Sequence, residues 1–193
     1  MKTAIVILAA GKSSRMGTAK QLLPYRHTTL LGWTIEQALK IVNTEVICIT
    51  GAKREIVEKS ISTYPITIIH NSNFQNGLSA SIKVGIRYVS QKDFDNVLII
   101  LADQPFVTNG YLKEIISKSC MDPEKIIASN YGNRIGVPAL FPRRFYQHLS
   151  KLTGDKGAKE LLSKHSDNIL KMPKVNLIDI DTQEEYEHYV RKH

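Results

Sequence analysis

Four short runs rich in Ile, Val and Leu recur along the first half of the chain: Ala4 to Leu8, Glu45 to Thr50, Ile66 to His70 and Asn96 to Leu101. A continuous apolar run of this length reads as a strand covered on both faces. The segments between the runs carry helical spacing. In Leu30 to Val42, the apolar Leu31, Ile35, Ala38, Leu39 and Val42 fall on one stripe, with Glu36, Gln37 and Lys40 opposite. Arg54 to Ile61 and Ser81 to Val89 repeat the pattern, the second with Ile82, Gly85, Ile86 and Val89 inward. Alternating strand and helix predicts an α/β fold with a mostly parallel sheet. Ligands of such sheets lie beyond the carboxyl ends of the strands, where loops converge and helix N-termini point.

The second half is less regular. The pattern predicts a helix at about Gly110 to Ser119, a strand from Lys125 to Ser129 and a turn-rich stretch from Tyr131 to Pro142. Short helices around Arg143 to Leu149 and Ala158 to Lys164 follow, then a strand pair, Ile169 to Met172 and Val175 to Ile180, and a helix from Thr182. No internal repeat, low-complexity tract or linker interrupts the sequence.

Composition narrows the class. At roughly 100–200 residues per domain, the 193 residues of the chain predict a single domain, residues 1–193, whose second half decorates the first. A hydrophobic fraction of 42% with 11 Gly and 7 Pro excludes a disordered or collagen-like chain. The apolar runs are far shorter than the roughly 18 residues that argue for a membrane span. Met1-Lys2 and the run behind it imitate a secretory signal, but the run leads into a Gly/Ser/Arg loop, so it reads as a strand. Two cysteines, Cys48 and Cys120, outside any C-x-x-C pair, make neither a disulfide scaffold nor a four-cysteine zinc site, and point to the reducing cytoplasm. The formal net charge of +8 suits a nucleic acid, an anionic membrane or a polyphosphate ligand equally. The basic residues are spread along the chain without interleaved aromatics, which argues against nucleic acid.

The loop directly after the first strand, Leu8-Ala9-Ala10-Gly11-Lys12-Ser13-Ser14-Arg15-Met16-Gly17-Thr18-Ala19-Lys20, carries the strongest chemical signal. Small residues let backbone N–H groups approach a phosphate, and nearby cations neutralise it. A solvated turn would share this composition, so spacing decides. A Walker A loop needs a glycine five positions before Gly11, where Val6 stands, and the G-x-G-x-x-G pattern fails at Ser13. What remains is L-x-x-G-x-x-x-R-M-G-x-x-K.

With that loop, the chain resembles the MobA-like nucleotidyltransferases, and among them the molybdenum cofactor cytidylyltransferases. The resemblance continues through Gln21-Leu22-Leu23-Pro24, His70-Asn71, Gly77-Leu78-Ser79-Ala80-Ser81-Ile82, Leu101-Ala102-Asp103-Gln104-Pro105, Gly136-Val137-Pro138-Ala139-Leu140-Phe141, Gly154-Asp155-Lys156-Gly157-Ala158 and Asp179-Ile180-Asp181-Thr182, in family order. It implies a three-layer α/β/α Rossmann-like nucleotidyltransferase fold with a smaller irregular part that receives the acceptor. It also implies transfer of CMP from CTP to the phosphate of molybdopterin, with Mg²⁺ as cofactor and release of pyrophosphate. The product would serve a molybdenum hydroxylase such as a xanthine dehydrogenase.

Residue by residue, the resemblance places Leu8, Ala9, Ala10, Gly11, Arg15, Lys20, Ser79 and Ser81 on the nucleotide. Arg15, Lys20 and Asp103 become the catalytic set, and Lys12 a bystander. Asp103 ends the strand Asn96 to Leu101, where it could equally shape the turn or cap the next helix. The resemblance makes it a Mg²⁺ ligand with Asp181, which could otherwise cap the last helix together with Thr182. Asp179 and Asp181 flank Ile180 and so point to opposite sides of an extended chain, leaving one of them for the metal. Gly136, Pro138, Asp155 and Lys156 fall where the family accepts the pterin. The sequence departs from the family at Val137, where His or Asn is common, at Lys159, where Arg is common, and at Gln183, where Pro is common. An L-A-A-G start goes with cytidine and L-A-G-G with guanosine, so Ala10 favours CTP over GTP. The competing readings are a guanylyltransferase of the same pathway, a sugar- or alditol-phosphate nucleotidyltransferase, and a chaperone that delivers the cofactor to its enzyme. The nucleophile belongs to the substrate, so His27, His148, His165, His188 and His193 need no catalytic role.

Overall fold

A computed structural model describes residues 1–12 and 19–191. Its strands are β1 (Thr3–Leu8), β2 (Pro24–Tyr25), β3 (Thr28–Thr29), β4 (Thr44–Thr50), β5 (Thr67–His70), β6 (Asn96–Leu101), β7 (Ile126–Asn130), β8 (Ile135–Pro142) and β9 (Ile169–Lys174). The helices are α1 (Leu30–Leu39), α2 (Arg54–Ile61), α3 (Leu78–Ser90), α4 (Asn109–Met121), α5 (Tyr146–Leu149), α6 (Lys159–Lys164) and α7 (Gln183–Tyr186).

Seven strands form one sheet in the order β5-β4-β1-β6-β8-β7-β9, in which only β8 runs against its neighbours. The fold is therefore the three-layer, Rossmann-like α/β arrangement expected from the sequence. The continuous apolar runs are explained by burial on both faces. Along β1, Ala4, Val6 and Leu8 face the layer holding α3, α5 and α6, while Ile5 and Ile7 face α1, α2 and α4. Helix α3 lies so close to the sheet that a Cβ on Gly85 would stand 2.8 Å from Val6 Cγ1. Helices α1 and α4 start on threonine caps: Thr29 Oγ1 accepts from Gly32 N at 3.0 Å and Thr108 Oγ1 from Tyr111 N at 3.3 Å.

The second half departs from the expected pattern in two places. The stretch Tyr131 to Pro142 is not all turn, because β8 occupies most of it and pairs antiparallel with both β6 and β7. Its Gly136-Val137-Pro138 reads as a breaker in sequence, yet the β7–β8 register breaks there, and that irregularity accommodates the proline. The expected second strand, Val175 to Ile180, is an extended segment outside the sheet. It is tied by Val175 N to Asn130 O at 3.0 Å and by Ile180 N to Asp103 O at 2.9 Å. Among the described residues, no helix is long and apolar enough to cross a membrane.

The chain runs outward from β1 through β4 to β5, then returns to place β6 on the other side of β1. This reversal opens a crevice beyond the carboxyl ends of β1 and β6, whose last residues, Leu8 and Leu101, are direct partners.

Candidate nucleotide and acceptor site

The loop after β1 is pinned from below. Ala9 N bonds to Ile49 O at 2.9 Å, and Ala52 N to Ala10 O at 3.3 Å. The buried Gln21 amide donates to Ala9 O at 2.8 Å and to Gly11 O at 2.9 Å. These contacts hold Leu8, Ala9, Ala10 and Gly11 along one wall of a cavity of about 470 Å³. The opposite walls come from the start of α3, with Leu78 and Ser81, and from Phe74 and Gln75 before it. Lys12 also lines this cavity, its Nζ 6.0 Å from the Phe74 ring centroid.

Lys20, Asp103 and Asp181 meet at the carboxyl end of β6. Lys20 Nζ donates to Asp103 Oδ2 and, at 2.9 Å, to Asp181 Oδ1. Asp181 can reach the lysine because it is not the helix cap: Thr182 Oγ1 accepts from Glu185 N at 3.1 Å, and the Glu185 carboxylate accepts from Thr182 N, closing a capping box. Burial, reinforced by the negative charges of Asp179 and Asp181, raises the Asp103 pKa against the opposing pull of Lys20. Burial lowers the ammonium pKa of Lys20, but its bonds to Asp103 and Asp181 outweigh that effect and raise it.

Asp103 Oδ1 is buried without a hydrogen-bond partner. Two carboxylates closing on one cation, with a spare buried oxygen, fit a hard divalent metal. No group of three or more His, Cys, Asp or Glu side chains suited to a metal exists among the described residues. A metal held here would complete its shell with water and phosphate oxygen, the usual arrangement for Mg²⁺.

A second cavity, about 150 Å³, adjoins the first and shares Leu8, Leu78 and Leu101 with it. Gly136, Val137, Lys156 and Lys159 line it, as do Gln104, Tyr131, Arg134 and Asp179. The loop Gly154 to Gly157 contributes to both spaces. Its Lys156 lines the second, whereas Asp155 lines the first, unlike the acceptor-side position expected for it.

Two further expected residues lie off both cavities. Ser79 is buried, with its amide bonded to Gly154 O at 3.3 Å, and α3 begins on Gly77 rather than on a serine cap. Pro138 stands in β8, where its carbonyl accepts from Ser129 Oγ at 2.7 Å. Asp179 accepts from Gln104 Nε2 at 2.7 Å and from Arg134 at 3.2 Å, so it belongs to the second cavity while Asp181 joins Lys20. Arg15, with Met16 and Gly17 of the same motif, lies outside the described residues, as does His193. Sequence reasoning gave no role to Gln21, Phe74, Gln104, Tyr131 or Arg134. Only Gln21 and Gln104 stood inside recognisable motifs.

The family model of the MobA-like NTP transferase domain matches residues 5–169. The purine catabolism protein PucB of Bacillus subtilis is 26% identical, over 94% of this chain and 93% of its own. The molybdenum cofactor cytidylyltransferase of Escherichia coli is 34% identical over 58% of this chain and 57% of its own. Among solved structures, Rv0371c of Mycobacterium tuberculosis superposes with a TM-score of 0.87 at 29% identity, covering 98% of this chain and 97% of that one. A structure of Rv0371c in complex with manganese gives a TM-score of 0.84 at 26% identity, with both chains fully covered.

Proposed function

The chain belongs to the MobA-like NTP transferase family, and from that premise we propose that this nucleotidyltransferase moves CMP from CTP to the phosphate of a molybdopterin-type acceptor. The observation that carries the reading is the cluster of Lys20, Asp103 and Asp181, whose Lys20 and Asp103 line the larger cavity, beside a smaller one that shares Leu8, Leu78 and Leu101 with it. The larger has the small-residue wall and cations suited to a nucleoside triphosphate, and the smaller has apolar walls with a few polar groups. The reaction joins two anions, so catalysis rests on positioning and charge neutralisation.

An oxygen of the acceptor phosphate attacks the α-phosphorus of CTP, the new P–O bond forms in line, and the bond to the β-phosphate oxygen breaks to release pyrophosphate. Asp103 and Asp181 would hold Mg²⁺, which supplies Lewis-acid neutralisation of the phosphoryl charge. The spare Asp103 oxygen supports this assignment, as does the manganese complex of a relative. Lys20 turns from the two carboxylates to the β- and γ-phosphates, and Arg15 serves the same phosphates. Ala9, Ala10 and Gly11 receive the cytosine against their backbone, and Ser81 faces the ribose. Ala10 and the cytidylyltransferase relative favour CTP over GTP. Gly136, Lys156 and Asp179 border the acceptor.

The whole chain, residues 1–193, acts as one domain in this reading. Its free thiols, Cys48 and Cys120, support a cytoplasmic site of action. In this reading the product goes to a molybdenum hydroxylase of the xanthine dehydrogenase kind, and the Bacillus relative is named for purine catabolism. Pyrophosphate release from purified protein, Mg²⁺, molybdopterin and each nucleoside triphosphate in turn tests the proposal. Release with CTP is expected; release with GTP alone would move the chain to the guanylyltransferases, and release with none would remove the activity.

A further inference from the structure

The second cavity is walled by a polar group whose hydrogen bonds are satisfied on one side only. Gln104 follows Asp103 and is 2% exposed. Its Nε2 lies 2.7 Å from Asp179 Oδ1, 2.8 Å from the Tyr131 hydroxyl and 3.4 Å from Val137 O. Asp179 accepts only, so a reversed amide would set two acceptor oxygens against each other at that distance, and the orientation is fixed. The Tyr131 hydroxyl donates onward to Val137 O, and Arg134 holds the second oxygen of Asp179 at 3.2 Å. The amide is thus clamped through its nitrogen.

Its oxygen, Oε1, is buried and has no partner. Buried acceptors in folded proteins are nearly always paired, and this one belongs to a side chain that lines the second cavity, so an occupant of that cavity is the natural source of the missing donor. The rest of the wall restricts what that donor belongs to. Leu8, Ile82 and Leu162 offer apolar surface, and the exposed Lys156 and Lys159 offer positive charge. A flat ring with an N–H edge and an anionic substituent satisfies all three.

We propose that Gln104 is a specificity-determining residue: its Oε1 accepts a hydrogen bond from an N–H of a planar heterocyclic acceptor whose anionic group is neutralised by Lys156 and Lys159. The assignment of this cavity to the acceptor rests on the nucleotidyl-transfer reading above. Gln104 also adjoins Asp103 in the chain, so a head group bonded to Oε1 is registered against the end of β6 where the phosphates must meet.

The test pairs a change in the ligand with a change in the residue. A pterin monophosphate and a derivative methylated so that it offers no N–H are titrated against the protein, with quenching of pterin fluorescence as the readout. The wild-type chain is expected to bind the N–H-bearing form about ten- to a hundred-fold more tightly, the range for one hydrogen bond whose loss leaves a buried group unpaired. In Gln104→Met the preference is expected to fall to about two-fold or less. Gln104→Lys keeps N–H donors for Asp179 and Tyr131 and has no acceptor, so it is expected to lose the preference while retaining the clamp. A preference that survives in either variant, its absence in the wild-type chain, or glucose 1-phosphate bound as tightly as the pterin would overturn the proposal. CMP transfer is measured separately. A chain that reads the N–H through Gln104 but transfers nothing from CTP keeps this inference and loses the proposed reaction.

Discussion

Replacing Lys20 by methionine removes the ammonium between Asp103 and Asp181 and keeps most of the apolar stem. The Lys20 and Asp103 side chains are each 15% exposed, and that of Asp181 is 48% exposed. Breaking a fully buried ion pair from one side costs about 3–5 kcal/mol, and an exposed pair is worth about 0–1 kcal/mol. The site lies between these limits, so a loss of about 2–4 kcal/mol at neutral pH is expected. In a chain of 193 residues, that corresponds to a fall in Tm of about 6–12 °C. The pH dependence has a definite sign. Burial already raises the Asp103 pKa and Lys20 counteracts it, so Lys20→Met raises that pKa further. The deficit is therefore full above the raised Asp103 pKa of the variant and shrinks as pH falls through it toward the wild-type pKa, where the variant's carboxyl takes a proton first. With the ammonium gone, Mn²⁺ has the two carboxylates to itself, and at a hundred times its Kd it would restore about 2.7 kcal/mol. Thermal unfolding from neutral to mildly acidic pH, with and without Mn²⁺, measures all three effects. A variant as stable as wild type at neutral pH, a deficit that persists in acid, or indifference to Mn²⁺ would refute the reasoning.

The two neighbouring aspartates separate by role. Asp181→Asn is expected to lower turnover at least about a hundred-fold, whereas Asp179→Asn, which keeps an oxygen for Gln104, raises the acceptor KM and leaves CTP affinity unchanged; steady-state kinetics with calorimetry of CTP distinguishes them. Gly77 has φ +85°, and a Cβ there would stand 2.0 Å from Asp155 Oδ1. Gly77→Ala should therefore cost about 1–3 kcal/mol in urea unfolding. Ala10 is 6% exposed and packs so near Gly51 that a Cβ on the glycine would come within 2.7 Å of it. Ala10→Leu can expand only into the nucleotide cavity and should weaken CTP binding about tenfold or more; unchanged affinity would remove the base from that wall.

The parallel core was legible because residues 4–8 in β1, 46–49 in β4 and 97–101 in β6 are unbroken apolar runs, a pattern that double-sided burial requires. Asp103 could be found for the same reason, since it follows closely on such a run, whereas Lys20 was reached through the loop motif and the resemblance it carries. The second half hid its structure. In β8, Gly136-Val137-Pro138 falls where the pairing with β7 is irregular, and sequence alone presents that as a turn. The segment Val175 to Ile180 reads like a strand but joins no sheet edge; its ends bond instead to Asn130 O and Asp103 O. Tyr131, Arg134 and Asp179 meet only through that irregular half, at separations no local pattern encodes. Gln104 stood in view within a motif, but its function depends on which of its amide atoms Asp179 occupies.

Transfer of label from [α-³²P]CTP to molybdopterin in the presence of Mg²⁺ tests the central claim most directly, with Asp103→Ala alongside. The label is expected in a new dinucleotide for the wild-type chain and to fall at least about a thousand-fold in the variant. Label that remains in CTP, or that moves equally well without the Asp103 carboxylate, would contradict it.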